Sequence, residues 1–289
     1  MGNPAWRFEG NERRYLEEVL SSGFRAGADG SFSTRLEGIW ADMHGAPYAI
    51  AANSGTSSLH AALLSLGCGP GDEVLVPALT PLMCGLAPHY TGATPVYVDS
   101  DPDTFLMDPA DLENKITPTS KVIMVVHMYG GVCDLTRIMG IAERHGLKVL
   151  EDCAQCFLGL DDRRRRTGSV GDVGVWSFEN SKQLTCGDGG IAVAHSEEIA
   201  TRSRKAGGLG FKNLTASSGQ VRADRSKFQN PDWERFDSIG YNFRMNQLAA
   251  AVAVAQAERA EEIVGLRRAM GEGYRAVLAE SSLLRPQDQ

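Results

Sequence analysis

The sequence has no apolar run that approaches the ~20 residues of a membrane-spanning helix. Its beginning, MGNPAWRFEGNERRYLEEVL, carries too many charged and polar residues for a signal peptide. Positive charge is not in excess either, because 36 acidic residues against 29 lysines and arginines give a net charge of −7. Without a broad basic surface, nucleic acid is not an expected partner. We therefore expect a cytoplasmic protein that binds neither membranes nor nucleic acid.

Cysteine is sparse, with 6 thiols in 289 residues, mostly among apolar or small neighbours. This pattern favours reduced, buried thiols over a disulfide framework. Cys153 and Cys156 form a CxxC motif, for which a redox role is an alternative, although the flanking acids oppose thiolate formation. A zinc site of the finger type needs a second ligand pair at suitable spacing, and the sequence has none. No metal is expected.

The chain is longer than the ~100–200 residues of a typical domain, so we expect one large domain with an appendage, or two domains. Short apolar runs rich in β-branched residues recur at 48–52, 73–78, 94–98, 121–128, 148–152, 173–178 and 189–194. Stretches with helical spacing lie between them, as in SSLHAALLSLG and LTRIMGIAERHG. This alternation predicts an α/β fold, with a mostly parallel central sheet flanked by helices.

The chain changes character after about residue 203. A polar, glycine-bearing stretch without clear period predicts a long loop, and long loops are often functional. From Met245 onward, an alanine-rich pattern predicts one long helix or two abutting ones. We therefore predict a large α/β domain over residues 1–244, including an N-terminal helical segment. Residues 245–289 are predicted to form a long helix leading into a truncated small C-terminal domain.

Ligands bind outside the carboxyl ends of the strands in open parallel sheets, so the candidate site lies there. After the first strand comes NSGTSS, a turn that leads directly into a helix. The amides of Gly55, Thr56 and Ser57 would then point outward at a helix N-terminus, which suits a phosphate. The alternative is that the motif only caps the helix, through Ser54 or Thr56.

Three further groups follow strands of the same sheet. Asp152 ends the run KVLED, VGVWSF brings Ser177 to the same edge of the sheet, and Lys182 lies a few residues beyond it. A carboxylate at the tip of a buried strand needs a cation or a donor, although a helix cap or a structural ion pair would also satisfy it. Pyridoxal 5'-phosphate requires a lysine, phosphate donors and a carboxylate beside its ring nitrogen. The combination predicts that cofactor.

Six motifs in this order and spacing resemble the DegT/DnrJ/EryC1/StrS family of sugar aminotransferases, which have the fold type I, aspartate-aminotransferase-like architecture. The motifs are NSGTSSLHAAL, GPGDEVLVPALT, GATPVYVD, EDCAQ, GSVGDVGVWSFENSKQLTCGDGG and GYNFRMNQLAAAVAVAQ. The resemblance implies that Lys182 holds the cofactor covalently, that Asp152 pairs with the pyridine nitrogen and that Gln155 lies near the ring hydroxyl. It also implies that Ser177 and the turn of Gly55, Thr56 and Ser57 take the phosphate.

The resemblance further implies a homodimer with shared active sites. Asn242 matches an asparagine that reaches the phosphate of the neighbouring subunit, and Arg244 beside it is a candidate substrate contact. The implied reaction converts a nucleotide-linked keto sugar into an amino sugar, with glutamate or glutamine as the amino donor. The presence of a lysine at position 182 indicates that the implied reaction is a transamination.

Two features depart from the family pattern. Pro81 stands where many relatives have an aromatic residue that stacks on the cofactor ring, and the chain ends about 80–100 residues early, close to the size of a small domain. One alternative is therefore a truncated, weakly active or inactive relative that acts as a partner or regulatory subunit. Another is a phosphate-binding α/β protein without the cofactor, in which Lys182 is incidental.

Overall fold

Seven strands form one sheet at the centre of the computed structural model, which describes residues 4–24, 30–219, 225–284 and 287. In chain order the strands are β1 (Tyr48–Ala52), β2 (Glu73–Pro77), β3 (Thr94–Val98), β4 (Ser120–Val126), β5 (Lys148–Asp152), β6 (Val173–Ser177) and β7 (Gly190–Ala194). The spatial order is β1-β7-β6-β5-β4-β2-β3. β7 runs antiparallel to both neighbours, and the other pairs are parallel. The predicted mostly parallel sheet is confirmed.

Helices flank this sheet. They are α1 (Glu12–Ser21), α2 (Phe32–His44), α3 (Gly55–Ser65), α4 (Leu82–Thr91), α5 (Pro109–Asn114), α6 (Leu135–His145), α7 (Glu197–Gly207), α8 (Arg225–Gln229), α9 (Gln247–Glu258) and α10 (Ala260–Ala279). Short 3₁₀ segments span Pro4–Phe8 and Met128–Gly130. In the part of the chain described here, no helix is both long and apolar enough to cross a membrane.

The strands near the site are packed on both faces. β6 and β7 are buried at every position, which explains why they read as unbroken apolar runs. Along β7, Ile191 and Val193 join the core cluster that contains Trp40. Ala192 and Ala194 alternate with them and join the other cluster. Dense packing on both sides holds the carboxyl end of the neighbouring strand β6 in place.

The alanine-rich C-terminal stretch forms two abutting helices, which was one of the two predicted alternatives. α9 packs against α1 and α2, and all of its alanines except the partly buried Ala249 are buried in the cluster of Trp40. The helical path breaks at Arg259, whose φ of −111° differs from helical geometry, and α10 follows. The division of the chain into domains after residue 244 stays a prediction.

The predicted long loop follows α7. Among the residues described between 208 and 246, the short α8 is the one helix, and the remaining order comes from isolated bridges such as Gly208 with Asn242. Ala52, at the end of β1, bridges Arg244. This loop therefore returns to the carboxyl end of the sheet, where the candidate site lies.

Candidate active site

A cavity of about 250 Å³ opens at the carboxyl ends of β5 and β6. We call it the Lys182 cavity. Its lining includes five of the predicted site residues, namely Gly55, Thr56, Asp152, Ser177 and Lys182. Four separate segments of the chain supply them. The fold therefore brings together an amine, an acid, a hydroxyl and a helix N-terminus, as the positions of these residues at the strand ends had predicted.

The N-terminus of α3 forms one wall of the cavity. Ser54 caps the helix, because its Oγ accepts a hydrogen bond from the amide of Ser57 at 3.0 Å. An α-helix leaves its first amides without intrahelical acceptors, and this cap uses only that of Ser57. The amides of Gly55 and Thr56 stay available to an anion. The cap at Ser54 is therefore observed, and the amide of Ser57 serves it. The phosphate cradle stays a prediction for the amides of Gly55 and Thr56.

Gly55 lets this helix approach β6 closely. A Cβ placed on Gly55 would lie 2.6 Å from the Cβ of Ser177 and 3.1 Å from its Oγ. Real Cβ atoms do not approach that closely, so a side chain here would force the helix away from the strand. Ser177 itself is 8% exposed, and its Oγ accepts a hydrogen bond from the amide of Glu179 at 3.3 Å. The hydroxyl and the helix N-terminus thus face one space.

Asp152 is the buried acid of the cavity. Its Oδ1 accepts a hydrogen bond from the amide of Ala154 at 2.9 Å, and its Oδ2 accepts one from the thiol of Cys84 at 3.2 Å. Burial raises the pKa of Asp152, although the Ala154 amide, the Cys84 thiol and the Lys182 charge act in the opposite direction. A carboxyl group in this state gains from a cationic partner. A protonated ring nitrogen is such a partner.

The turn that carries Lys182 has no regular secondary structure, and we call residues 179–186 the lysine turn. The amide of Lys182 donates to the carbonyl of Glu179 at 3.0 Å, and that of Cys186 donates to the carbonyl of Phe178 at 3.0 Å. Outside the turn, Arg7 donates to the carbonyl of Lys182 at 2.7 Å. The backbone at Lys182 is therefore tied both within the turn and from the N-terminal segment.

Glu151 lies next to Asp152 and is satisfied in a different way. Its carboxylate accepts hydrogen bonds from the amides of Gly168, Val170 and Gly171 at 2.7–2.8 Å. His127 Nε2 lies 3.1 Å from Glu151 Oε2. Burial alone would raise the pKa of Glu151, but His127 and the amides outweigh it and hold the pKa below its usual range. This acid orders the loop before β6.

The CxxC motif lacks the properties of a redox site. Cys153 and Cys156 are buried, and all six cysteines of the chain are free thiols. Burial raises the pKa of both thiols, so thiolate formation is opposed by desolvation as well as by the neighbouring acids. Cys153 packs in the core cluster that contains Trp40.

Four predicted residues do not line the Lys182 cavity. Ser57, whose amide serves the helix cap, lines a separate cavity. Gln155 lines an adjoining cavity of about 350 Å³, where its Oε1 accepts a hydrogen bond from the amide of Tyr129 at 2.9 Å. Asn242 is exposed, and its Oδ1 accepts a hydrogen bond from Arg244 Nε at 3.1 Å. Arg244 is exposed as well and lies over β1. Their roles stay predictions, and those of Asn242 and Arg244 depend on a second subunit.

Two contacts in the site were not predicted from the sequence. From the sequence, Cys84 was expected to be one of the buried thiols, but its thiol donates to Asp152. The stretch PLMCG did not indicate this contact, because Pro81 and Gly85 obscure the helical period of α4. Arg7 lies 175 positions from Lys182. A lone arginine near the N-terminus carries no pattern that would link it to this turn.

The chain is similar to known proteins in sequence and in fold. A family model described as the DegT/DnrJ/EryC1/StrS aminotransferase family matches residues 7–288. GDP-perosamine synthase of Caulobacter vibrioides is 39% identical over 94% of this chain and 68% of its own length. L-glutamine:2-deoxy-scyllo-inosose aminotransferase of Streptoalloteichus tenebrarius is 38% identical over 94% of this chain and 63% of its own length.

A solved structure, Spr1654 from Streptococcus pneumoniae in its PLP-form, superposes with a TM-score of 0.80 at 26% identity. The superposition covers 93% of this chain and 69% of that one. The family match and the similarity to these aminotransferases show that the chain is an aminotransferase with an α/β core. The chain belongs to the DegT/DnrJ/EryC1/StrS aminotransferase family. It spans about two thirds of the length of the relatives it matches.

Proposed function

We propose that the protein is a cytoplasmic, pyridoxal 5'-phosphate-dependent aminotransferase that converts a keto sugar into an amino sugar. The observation that carries this proposal is the Lys182 cavity, in which an amine, a buried acid, a hydroxyl and free helix amides share one space. Each of these four groups alone has an ordinary structural explanation. Their convergence at the carboxyl end of a parallel sheet favours a site for this cofactor.

The residues present fit the cofactor chemically. Asp152 is 4% exposed, and burial raises its pKa, so it is poised to gain from a protonated ring nitrogen. The amides of Gly55 and Thr56, with the hydroxyl of Ser177, form a set of donors suited to a phosphate. Pro81, which stands where relatives carry an aromatic residue, still gives the cavity an apolar wall.

The cofactor, when bound, supplies a ring that withdraws electrons from the substrate carbon beside the nitrogen. In our proposal, Lys182 Nζ would hold it covalently and, once the amino donor takes its place, would move a proton from the substrate carbon to a carbon of the cofactor. Asp152 keeps the ring nitrogen protonated. Ser177 and the amides of Gly55 and Thr56 would fix the phosphate, while Ser57 holds that turn through the helix cap. Gln155 would lie near the ring hydroxyl.

The proposed acceptor is a nucleotide-linked keto sugar, and the proposed amino donor is glutamate or glutamine. One relative is named as a synthase of GDP-perosamine, and another as an aminotransferase that uses L-glutamine and 2-deoxy-scyllo-inosose. These names favour a nucleotide-linked keto sugar first and a keto cyclitol second. We propose that Asn242 of the partner subunit completes the phosphate site in a homodimer, with Arg244 near the substrate.

Single-turnover measurements test this function. The protein would be loaded with pyridoxamine phosphate and offered nucleotide-linked 3-keto sugars, nucleotide-linked 4-keto sugars and keto cyclitols in turn. The proposal predicts that at least one nucleotide-linked keto sugar restores the spectrum of the pyridoxal form, with an amino sugar as the product. A loaded protein that no member of the panel reoxidises would contradict it and favour an inactive relative.

A further inference from the structure

The backbone carbonyl of Lys182 is held by the N-terminal segment. Arg7 Nη2 donates to this carbonyl at 2.7 Å, and Arg7 Nη1 donates to the carbonyl of Asn180 at 3.1 Å. A guanidinium is planar and presents its donors in a fixed fork. One rigid group therefore sets the spacing of two carbonyls on either side of Ser181, within the lysine turn.

A second cation reaches the same carbonyl from α10. Arg267 Nη2 lies 3.4 Å from the carbonyl oxygen of Lys182. Burial lowers the pKa of Arg7, Arg267 lowers it further, and Glu179 acts in the opposite direction. Two like charges are thus kept near one carbonyl although they repel each other. The carbonyl of Lys182 is the group that they share.

Arg7 is anchored by a fully buried glutamine of α9. Gln256 is 0% exposed, and its Nε2 donates to the carbonyl of Arg7 at 2.5 Å and to Glu12 Oε1 at 2.7 Å. Its Oε1 accepts a hydrogen bond from the amide of Thr185 at 3.3 Å. The same side chain therefore touches the segment that carries Arg7 and the far end of the lysine turn.

The position of Lys182 Nζ depends on these contacts, because the lysine turn bonds the amide of Lys182 while its carbonyl is held from outside the turn. A lysine side chain is long and flexible, so the place of its amine is only as defined as the backbone that carries it. Amine chemistry demands accurate placement, since a shift of about 1 Å can cost about a hundredfold in rate. The turn meets this demand through bonds to α9, α10 and the N-terminal segment.

We propose that Arg7 is a positioning residue for Lys182, which acts through the backbone carbonyl of Lys182 to fix where its amine lies relative to Asp152. Arg7 touches no reacting atom and is not itself catalytic. This inference rests on the proposed function, in which Lys182 is the amine that holds the cofactor. It makes the N-terminal segment, which lies outside the six family motifs, necessary for the placement of Lys182.

The test compares Arg7→Ala and Arg7→Lys with Arg13→Ala in the full-length chain. Arg13 is an exposed arginine of α1 and serves as the matched control. Hydrogen–deuterium exchange is measured first, on cofactor-free protein. Arg7→Ala should speed exchange in the lysine turn about tenfold or more, because two hydrogen bonds from a charged donor are lost. Exchange in β4 should stay unchanged, and Arg13→Ala should match the wild type throughout.

The second readout is the rate at which added pyridoxal phosphate attaches to Lys182, followed by its visible absorption. We expect a fall of about tenfold in Arg7→Ala, an intermediate rate in Arg7→Lys, which keeps one donor, and no change in Arg13→Ala. If Arg7→Ala does not fold, Arg267→Ala, which removes the other donor to the same carbonyl, takes its place.

Two results would overturn the inference. One is exchange and attachment in Arg7→Ala equal to those of the wild type. The other is faster exchange across β4 as well as the lysine turn, since that marks a general structural role. Failure of the proposed function is distinct, because the wild type would then not attach pyridoxal phosphate to Lys182, while the exchange measurement would still report on the Arg7 contact.

Discussion

Glu151 and Asp152 are adjacent acids with opposite effects on the stability of the cofactor-free protein. Glu151 has a pKa below its usual value of 4.5, because its hydrogen bonds outweigh the cost of burial. It therefore contributes stability above pH 4.5 that is lost as the pH falls through its folded pKa. Asp152 has a pKa raised by burial above its usual value of 3.8, so its ionisation costs stability as the pH rises past that value.

Asp152→Asn should stabilise the cofactor-free protein at neutral pH while impairing cofactor binding. The neutral amide avoids a buried charge, and we expect a gain in the free energy of unfolding of about 1 kcal/mol. Urea unfolding at pH 7 measures it, and the gain should shrink as the pH approaches 3.8. A less stable Asp152→Asn protein at pH 7 would contradict this interpretation of the acid.

Glu151→Gln should act in the other direction. One amide oxygen cannot replace two carboxylate oxygens that receive the amides of Gly168, Val170 and Gly171. We expect a loss of about 1–3 kcal/mol in the free energy of unfolding for each buried donor left unsatisfied. The same urea titration is the measurement, and a Glu151→Gln protein as stable as the wild type would show that these contacts are dispensable.

At the scale of elements, the contact between α3 and β6 sets the phosphate end of the cavity. Gly55→Ala would place a methyl group 2.6 Å from the Cβ of Ser177. Overpacking of this kind costs about 1–3 kcal/mol and forces the helix N-terminus away from the strand. We expect the affinity for pyridoxal phosphate to fall at least about tenfold, measured by titration of cofactor-free protein.

Gly69→Ala is the matched control, because a Cβ there meets nothing within 4 Å and its φ is not positive. It should bind the cofactor as the wild type does. Equal affinities for the two variants would show that the close approach of α3 to β6 does not shape the phosphate site.

The strands were predictable from the sequence, but one of the helices, α4, was not. Strands that are mostly buried give nearly unbroken apolar runs, so β1 and β5 were predicted with their observed ends. α4 was not predicted, because Pro81 and Pro88 interrupt the pattern of a helix whose packing decides the outcome. Strand ends locate Asp152 and Ser177, since parallel strands bring them to one edge.

Side-chain direction outside the strands was harder to predict. Gln155 lies three positions after Asp152, and its side chain accepts a hydrogen bond from the amide of Tyr129 in the adjoining cavity. Arg7 reaches Lys182 through tertiary packing, to which no local pattern corresponds. Sequence motifs thus identify which residues approach the site, while the contacts among them depend on the packing of the whole chain.

At the scale of the whole molecule, the proposed dimer makes each active site depend on two chains. Lys182→Ala and Asn242→Ala should each be nearly inactive alone. In a mixed dimer, one site combines Lys182 from one subunit with Asn242 from the other and is intact. Equal mixing should therefore restore about a quarter of the wild-type activity, since half of the dimers are mixed and each has one working site.

Aminotransferase activity of the mixture, measured after subunit exchange, is the readout. A mixture no more active than the average of its two components would place Asn242 in the site of its own chain, or outside the site altogether.

The central claim is that Lys182 holds pyridoxal phosphate beside Asp152. Borohydride reduction of the cofactor-loaded protein, followed by peptide mass analysis, tests it most directly. The account predicts a pyridoxyl group on the peptide that contains Lys182. It also predicts that Lys182→Ala abolishes the visible absorption with the fold intact, while Lys148→Ala, at the other end of β5 from Asp152, keeps it. An unlabelled Lys182, or a label on another lysine, would contradict the claim.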